Sequence, residues 1–183
     1  TSGNVTIAEG QRFGSALQFN GGYLTTNKTN SLCPFSFTQF SIDAWVFISS
    51  YVGQSESTGQ PNFIGTMNPG TSTHDWSFGP NNNGNLSFYY DSTNITSSTT
   101  IPLNVWNHIA ATRDNNTLRL FINGDLNGSG TVSGGGCGTA ESFTIGAYNG
   151  TNFTGFADEI RVTAGTSVWT ENFSRPIAPY SLS

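Results

Sequence analysis

Short segments of alternating apolar and polar residues, separated by turn-forming residues, make up most of the chain. Alternation with a period of two is typical of β-strands, and apolar positions at helical spacing are nearly absent. The pattern therefore predicts a series of strands joined by short turns. The predicted strands cover residues 16–20, 23–26, 40–48, 62–67, 75–79, 86–91, 105–113, 117–122, 125–132, 141–148 and 155–162.

One predicted strand, FSIDAWVFI (residues 40–48), is apolar on both faces. Its even positions, from Phe40 to Ile48, share one face, while Trp45 and Phe47 lie on the other. A strand that is apolar on both sides is buried on both sides. We therefore place it in the middle of a layered β-structure.

The turns between the strands are short and carry clear signals. Asn123-Gly124 is a strong hairpin signal, because both central residues of a type I′ turn need a positive φ. Residues 80–85 read as a loop, and three glycines at 134–136 interrupt the chain. Strands joined this way, without helices, predict an all-β, antiparallel β-sandwich, with residues 1–183 as a single domain.

The composition narrows the range of partners. Charged residues make up 9% of the 183 residues, with one Lys and five Arg, and the net charge is −5. A nucleic-acid-binding protein needs clustered cations, and none occur here, so we expect no nucleic-acid partner. No apolar run is long enough to span a bilayer. The surface, rich in hydroxyl and amide groups, suits an extracellular protein or a virion surface. Position 1 is not Met, which indicates a processed protein or an excised domain.

Two cysteines, Cys33 and Cys137, lie far apart in the sequence. A disulfide between them would close a long loop and stabilise the fold by a few kcal/mol, roughly. Two unpaired thiols are the alternative, and the residues leave both possibilities open.

Five motifs occur in the order and spacing of a known family. They are ALQFNGGYLTT, FSIDAWVF, WNHIAATRDNNTLRLFINGDLNGSGT, FTIGAYN and FTGFADEIRV, spread over residues 16–163. The chain resembles the laminin-G-like branch of the concanavalin A-like lectin/glucanase superfamily. The resemblance implies a jelly roll of two curved antiparallel sheets. Because this fold carries lectins, adhesion modules, glycan hydrolases and structural domains, it leaves the function open. The ending TSVWTENFSRPIAPYSL resembles tails of such domains in phage and bacterial surface proteins.

The acidic residues argue against catalysis. A glycan hydrolase needs two carboxylates that converge on one bond, and hydrolases of this superfamily place them at alternate positions of one strand. The only acidic pair within a predicted strand is Asp158-Glu159, and neighbouring residues in a strand point to opposite faces. His108 has no obvious Ser or Cys partner and is interpreted as a buried structural residue. We expect no enzyme activity.

Asp158 raises the question of a metal ion. The alternation in GFADEIRV predicts that its side chain lies on the apolar face, where a carboxylate needs a cation, an arginine or several backbone N–H groups. The resemblance implies a calcium ion near this strand, held by Asp158 and by the turn at Asn20 and Gly21. An Asp bound to turn amides or paired with an Arg is the alternative. Asp43 poses the same question more weakly.

Two loop regions carry the chemistry of sugar recognition. Sugar rings stack on aromatic side chains, and sugar hydroxyls pair with amides and carboxylates. The first region offers His74, Asp75, Trp76 and Asn82, and the second offers Tyr148, Asn149 and Asn152. For Trp76 the alternative is an ordinary core position, and for Tyr148 it is packing at the end of a strand.

Taken together, these patterns predict a non-enzymatic carbohydrate-binding or adhesion module, with calcium as a candidate cofactor. Its partners would be glycans or a surface polysaccharide. The alternative is a structural or decoration domain that packs against other protein subunits and recognises no glycan. An exposed aromatic cluster would favour the first function, and a broad apolar patch would favour the second.

Overall fold

The computed structural model describes residues 2–27, 37–51, 63–67, 74–90, 92–134, 142–148 and 151–181. These residues form fourteen β-strands and no helix. The strands are β1 Ser2–Gln11, β2 Gly14–Asn27, β3 Gln39–Ile48, β4 Ile64–Met67, β5 His74–Pro80, β6 Asn85–Tyr90, β7 Thr93–Thr100, β8 Trp106–Asp114, β9 Thr117–Ile122, β10 Asp125–Thr131, β11 Ser142–Ile145, β12 Ala147–Tyr148, β13 Thr151–Asn152 and β14 Thr154–Ala164.

The all-β, antiparallel prediction is confirmed. Every strand pair among the described residues is antiparallel, and the predicted hairpin at Asn123-Gly124 joins β9 to β10. Both turn residues have positive φ, 56° and 91°. Three strands were not predicted: β1, β7 and the two-residue β13. The sequences of β1 and β7 are mostly polar and carry too few apolar positions to show an alternation. The described part of the chain contains no helix able to cross a membrane.

The strands do not divide into the two separate sheets that a sandwich predicts. The strands follow one path, β10-β9-β8-β3-β14-β2-β11-β4-β5-β6-β7, with β1 added to β2 and β12 paired with β13 alone. Strand β2 belongs to both halves, because residues 17–20 pair with β14 and residues 24–27 pair with β11. The two ends of the path meet where Oδ1 of Asn127 on β10 accepts a hydrogen bond from the backbone N–H of Thr99 on β7 (3.0 Å). The sheet is thus nearly closed and barrel-like.

The core lies between the two halves of this sheet. Strand β3 turns Phe40, Ile42, Ala44, Val46 and Ile48 towards it. Rings from opposite halves meet there, as between Phe40 and Phe88, whose centroids are 6.0 Å apart. The other side of β3 and its neighbours is called the outer face here. Cys33 and Cys137 lie outside the described residues, so the disulfide stays a prediction.

Candidate functional site

The first predicted ligand group is mostly part of the core. Trp76 has no exposed surface and stacks on Phe88, with ring planes 5° apart and centroids at 6.1 Å. The prediction that Trp76 is a sugar platform is therefore wrong, because β5 turns its even positions inward. Asp75 is 9% exposed and accepts a hydrogen bond from Thr66 Oγ1 (3.3 Å). Asn82 is exposed in the turn after β5, and the side chain of His74 lies outside the described part.

The second predicted group lies at the β12–β13 hairpin. Tyr148 pairs with Thr151 through the backbone, but its side chain and all of Asn149 lie outside the described part. Asn152 Nδ2 donates a hydrogen bond to the carbonyl oxygen of Gly21 (2.7 Å). Gly21 lies within β2 rather than in the predicted turn, and Asn152 fixes the irregular pairing of β2 with β1 at this point, which is a structural role.

The three predicted calcium ligands do not come together. Asn20 lies opposite Thr154 on β14, four residues from Asp158 along that strand. At the rise of a β-strand this separation is roughly 13 Å, whereas calcium ligands lie within about 2.6 Å of the ion. The carbonyl oxygen of Gly21 already accepts a hydrogen bond from Asn152. These residues do not fit a calcium site.

A β-bulge directly after Asp158 breaks the predicted alternation along β14. Glu159 has a positive φ of 52°, and the pairing between β14 and β3 shifts between Asp158 and Arg161. Asp158 therefore lies opposite Trp45 on the outer face, while Ile160 packs against the core. Its Oδ1 accepts a hydrogen bond from the backbone N–H of Glu159 (2.8 Å), and its Oδ2 has no partner among the described residues. Asp158 thus shares a face with Phe156, as the alternation predicted, but not with Ile160 and Val162, which turn towards the core.

The fully buried carboxylate of the outer face is instead Asp43. Its Oδ1 accepts a hydrogen bond from Arg161 Nε (2.9 Å), and its Oδ2 contacts His108 Nε2 at 3.2 Å and accepts a bond from the Tyr180 hydroxyl. Burial raises the pKa of Tyr180, and the hydrogen bond to Asp43 and the charge of Asp43 raise this pKa further. His108 has no exposed surface, as expected for a structural residue.

The segment of residues 165–181, which has no regular secondary structure, covers this buried carboxylate. Trp169 stacks on Phe173 with centroids at 4.2 Å, and both rings meet the edge of His108 at 5.8 Å. The backbone N–H of Phe173 donates a hydrogen bond to the carbonyl oxygen of Gly124 (2.9 Å). The segment is called the C-terminal cover below. It closes the middle of the outer face to a ligand.

Three aromatic side chains remain partly exposed on the same face, beyond the residues that the cover contacts. Phe47, Trp106 and Phe156 come from the neighbouring strands β3, β8 and β14 and lie opposite one another in the register. The centroid of Phe47 is 6.0 Å from that of Trp106 and 5.7 Å from that of Phe156, with edge-to-face ring geometry. These three residues are called the aromatic row.

An open cleft of about 620 Å³ lies where β14 separates from β2. Aliphatic side chains line most of it, among them Leu17, Ile145, Ile160 and Val162, with Asp158 and Glu159 also present. Phe143 is the aromatic residue of this lining and is only 7% exposed, whereas the aromatic row offers three partly exposed rings on which a sugar can stack. The row is therefore the stronger candidate for carbohydrate contact.

The aromatic row was not predicted from the sequence, although the sequence carries a signal for it. The double-sided pattern of residues 40–48 led us to expect burial on both faces. The C-terminal cover, with Arg12 and Phe13 over Trp45, buries the outer face only from Ser41 to Trp45 and leaves Phe47 partly exposed. Aromatic residues at matched positions of three strands could have indicated the row, but their register becomes visible only once the strands are paired.

The family of the chain follows from a comparison with family models. Residues 19–169 match the model Laminin_G_3, described as concanavalin A-like lectin/glucanases superfamily. The chain belongs to this laminin G-like family of the concanavalin A-like superfamily, which confirms the resemblance seen in the five motifs. No sequence among the curated proteins matches the chain.

Several solved structures share the fold. One is domain 4 of AbnA, a GH43 extracellular arabinanase from Geobacillus stearothermophilus, in complex with arabinotriose. It superposes with a TM-score of 0.64 at 24% identity, covering 91% of this chain and 78% of that one. The receptor binding domain of botulinum neurotoxin type G superposes with a TM-score of 0.61 at 15% identity, covering 92% of this chain and 42% of that one. A Trypanosoma rangeli sialidase superposes with a TM-score of 0.56 at 16% identity, covering 87% of this chain and 26% of that one. At these identities the likeness is one of fold.

Proposed function

We propose that this protein is a non-catalytic carbohydrate-binding module that contacts its ligand through the aromatic row. The observation that carries the proposal is the position of Phe47, Trp106 and Phe156, three partly exposed rings in contact across three adjacent strands. The C–H faces of a sugar pack on such rings, and rings held by a sheet lose little freedom on binding. The site thus lies on strands rather than on the loops that the sequence favoured.

The comparisons support a binding role. The superfamily includes lectins, and domain 4 of the arabinanase was solved with arabinotriose. That enzyme is extracellular, and a surface poor in charge suits the same environment here, on a bacterial or virion surface protein. In this proposal, the two halves of the sheet correspond to the two layers of a jelly-roll sandwich. One shallow site binds weakly, so the module would act in several copies.

The chemistry of the row supports a function without catalysis. A glycosidase places two carboxylates on either side of the bond it cleaves. No position of the aromatic row carries a carboxylate, and Asp43 is enclosed by Arg161, His108 and Tyr180. Stacking on rings needs no metal ion, so we propose that binding at the row is independent of calcium.

A second candidate function is assembly with another protein subunit. Leu103 and Val105 are 36% and 49% exposed and lie just before Trp106 in the chain. Together with the row they would give an apolar patch, which is typical of protein interfaces. In that case Val105→Asp would abolish self-association or subunit binding, whereas a lectin would keep its sugar affinity.

A glycan array tests the main proposal. The protein is multimerised and compared with the variants Trp106→Ala and Phe156→Ala. Tyr89→Ala is the matched control, because Tyr89 is a partly exposed aromatic residue on β6, in the other half of the sheet. We expect binding that both row variants lose and the control keeps, at similar melting temperatures. A blank array from a folded, multivalent sample would overturn the proposal in favour of assembly, and equal loss in the control would show that the row is not the site.

A further inference from the structure

The aromatic row continues in register across two further strands. Gln18 on β2 lies opposite Phe156, and Thr6 on β1 lies opposite Gln18. Directly opposed residues of antiparallel strands share a face, so both side chains lie on the outer face beside the rings. The backbone positions of five residues on five neighbouring strands thus form one line, called the cross-strand track: Thr6, Gln18, Phe156, Phe47 and Trp106. The three rings gather at one end of this line, with the centroids of Trp106 and Phe156 6.5 Å apart. At about 4.8 Å per strand the track is roughly 19 Å long.

The two parts of the track differ in chemistry. Three rings occupy one end, and an amide and a hydroxyl occupy the other. Thr6 Oγ1 contacts Gln18 Oε1 at 3.4 Å, and Gln18 Nε2 makes no hydrogen bond to another described residue. An amide N–H is a good donor to a sugar hydroxyl or ring oxygen. A ligand that fills the track therefore stacks on the rings and forms hydrogen bonds at Gln18.

Within the described part of the chain, both ends of the track are open. Strand β1 pairs only with β2, so it is an edge of the sheet beyond Thr6. At the other end, β9 begins to pair with β8 only at Ile109, three residues after Trp106. A site that recognises the end of a glycan closes around that end. A binding surface that is open at both ends, like the track, accepts a chain that continues past it.

From this placement we infer that the ligand is a linear, neutral polysaccharide, bound along an internal stretch that lies across the strands. The inference rests on the proposed function and adds the ligand class to it. The length of the track and its two open ends favour a polysaccharide chain over a single sugar as the ligand. All five side chains of the track are uncharged, which favours a neutral polymer over one that carries carboxylate or sulfate groups.

Calorimetry with defined oligosaccharides tests the inference. The probes are linear cello-, xylo-, manno- and arabino-oligosaccharides of two to six units. We expect one series to bind, with affinity rising about tenfold from two units to five. Removing the polar end, by Gln18→Ala or Thr6→Ala, should weaken binding of the five-unit ligand and leave that of the two-unit ligand unchanged. Gln11→Ala is the control, because Gln11 ends β1 outside the track.

The outcomes separate the two proposals. If no probe binds, in solution or as an immobilised polymer, the proposed function fails as well. If probes bind with the same affinity at every length, or if Gln18→Ala weakens short and long ligands equally, the proposed function stands and the extended track is wrong. Preference for an anionic polymer such as polygalacturonate over its methyl ester would overturn the neutral class. The melting temperature of each variant shows whether it is folded.

Discussion

The hydroxyl group of Tyr180 donates a hydrogen bond to Oδ2 of Asp43, which lies 137 residues earlier in the chain. This bond joins the C-terminal cover to the middle strand of the outer face. The variant Tyr180→Phe removes the donor and leaves the ring, so we expect the free energy of unfolding to fall by about 1.5 kcal/mol, as for a hydrogen bond to a charged group. Urea denaturation measures the change. Tyr23→Phe, at a partly exposed tyrosine outside the cover, should have no effect, and equal losses in both variants would contradict the role of the bond.

The same tyrosine predicts a loss of stability at alkaline pH. Its pKa is raised above the ordinary value of 10.0, first by burial and then by the bond to Asp43 and the charge of Asp43. The unfolded chain therefore loses the proton before the folded chain does, and stability is fully present below about pH 10 and falls above it.

Denaturation curves between about pH 8 and pH 11 measure this dependence. Burial also raises the pKa of Tyr51, so both tyrosines contribute to the slope. Tyr180→Phe should make the slope shallower, and Tyr51→Phe should remove a separate part of it. A slope that neither variant changes would show that other groups cause the alkaline loss.

The close packing of β14 on β3 predicts that Gly155→Ala disrupts the aromatic row. Gly155 has φ 147°, and a Cβ atom there would lie 1.9 Å from the carbonyl oxygen of Phe47. The strands must separate to admit it, so we expect a destabilisation of about 3 kcal/mol and a loss of sugar binding. Gly14→Ala is the control, because its φ of 115° is also strained but a Cβ atom meets nothing within 4 Å. Thermal unfolding and calorimetry with the bound oligosaccharide compare the two.

Because Trp169 stacks in the C-terminal cover, we expect Trp169→Ala to lower the free energy of unfolding. The ring contacts Phe173 at 4.2 Å and His108 at 5.8 Å between centroids. Trp169 is partly exposed, so we expect a loss of about 2 kcal/mol, less than for a fully buried tryptophan. Phe37→Ala serves as the comparison, since Phe37 is 42% exposed and its loss should cost little. Similar losses would mean that the cover adds no specific stability.

Calcium should not stabilise the protein through the residues that the sequence suggested. Asp158 and Gly21 are too far apart to bind one ion, and an ion that binds only the folded state raises the melting temperature. We therefore expect the same melting temperature in calcium and in EDTA. A rise in calcium that Asp158→Asn abolishes would show that our reading of this geometry is wrong.

The alternation of apolar residues predicted most strands, and where it failed the cause is local. In β14, the bulge at Glu159 changes which face each later residue occupies, so Ile160 lies inward although Asp158, two residues earlier, lies outward. Nothing in the composition of ADEIRV indicates an extra residue in the pairing. For Asp43 the sequence correctly indicated a carboxylate that needs partners. It could not identify Tyr180 as one of them, because that contact depends on the path of a segment without regular structure.

The candidate site was harder to predict than the fold. Trp76 and Trp106 look alike in the sequence, each in a strand of mixed residues, yet one is buried and the other partly exposed. The difference depends on which face of each strand meets the core. The sequence also favoured ligand residues on loops, where rigid scaffolds often carry them. The track depends on register between five strands, and a single sequence does not show register.

The C-terminal cover also bears on how the protein is made. Strands β3 and β8 leave the ribosome well before residues 165–181, which cover them. Until then His108 lacks the rings of Trp169 and Phe173 and the charge of Asp43 lacks the Tyr180 donor, so the nascent chain presents an apolar surface of the kind that chaperones bind. The central strand β14 directly precedes the cover, so the outer face is complete only when the last part of the domain, around Tyr180, has left the ribosome.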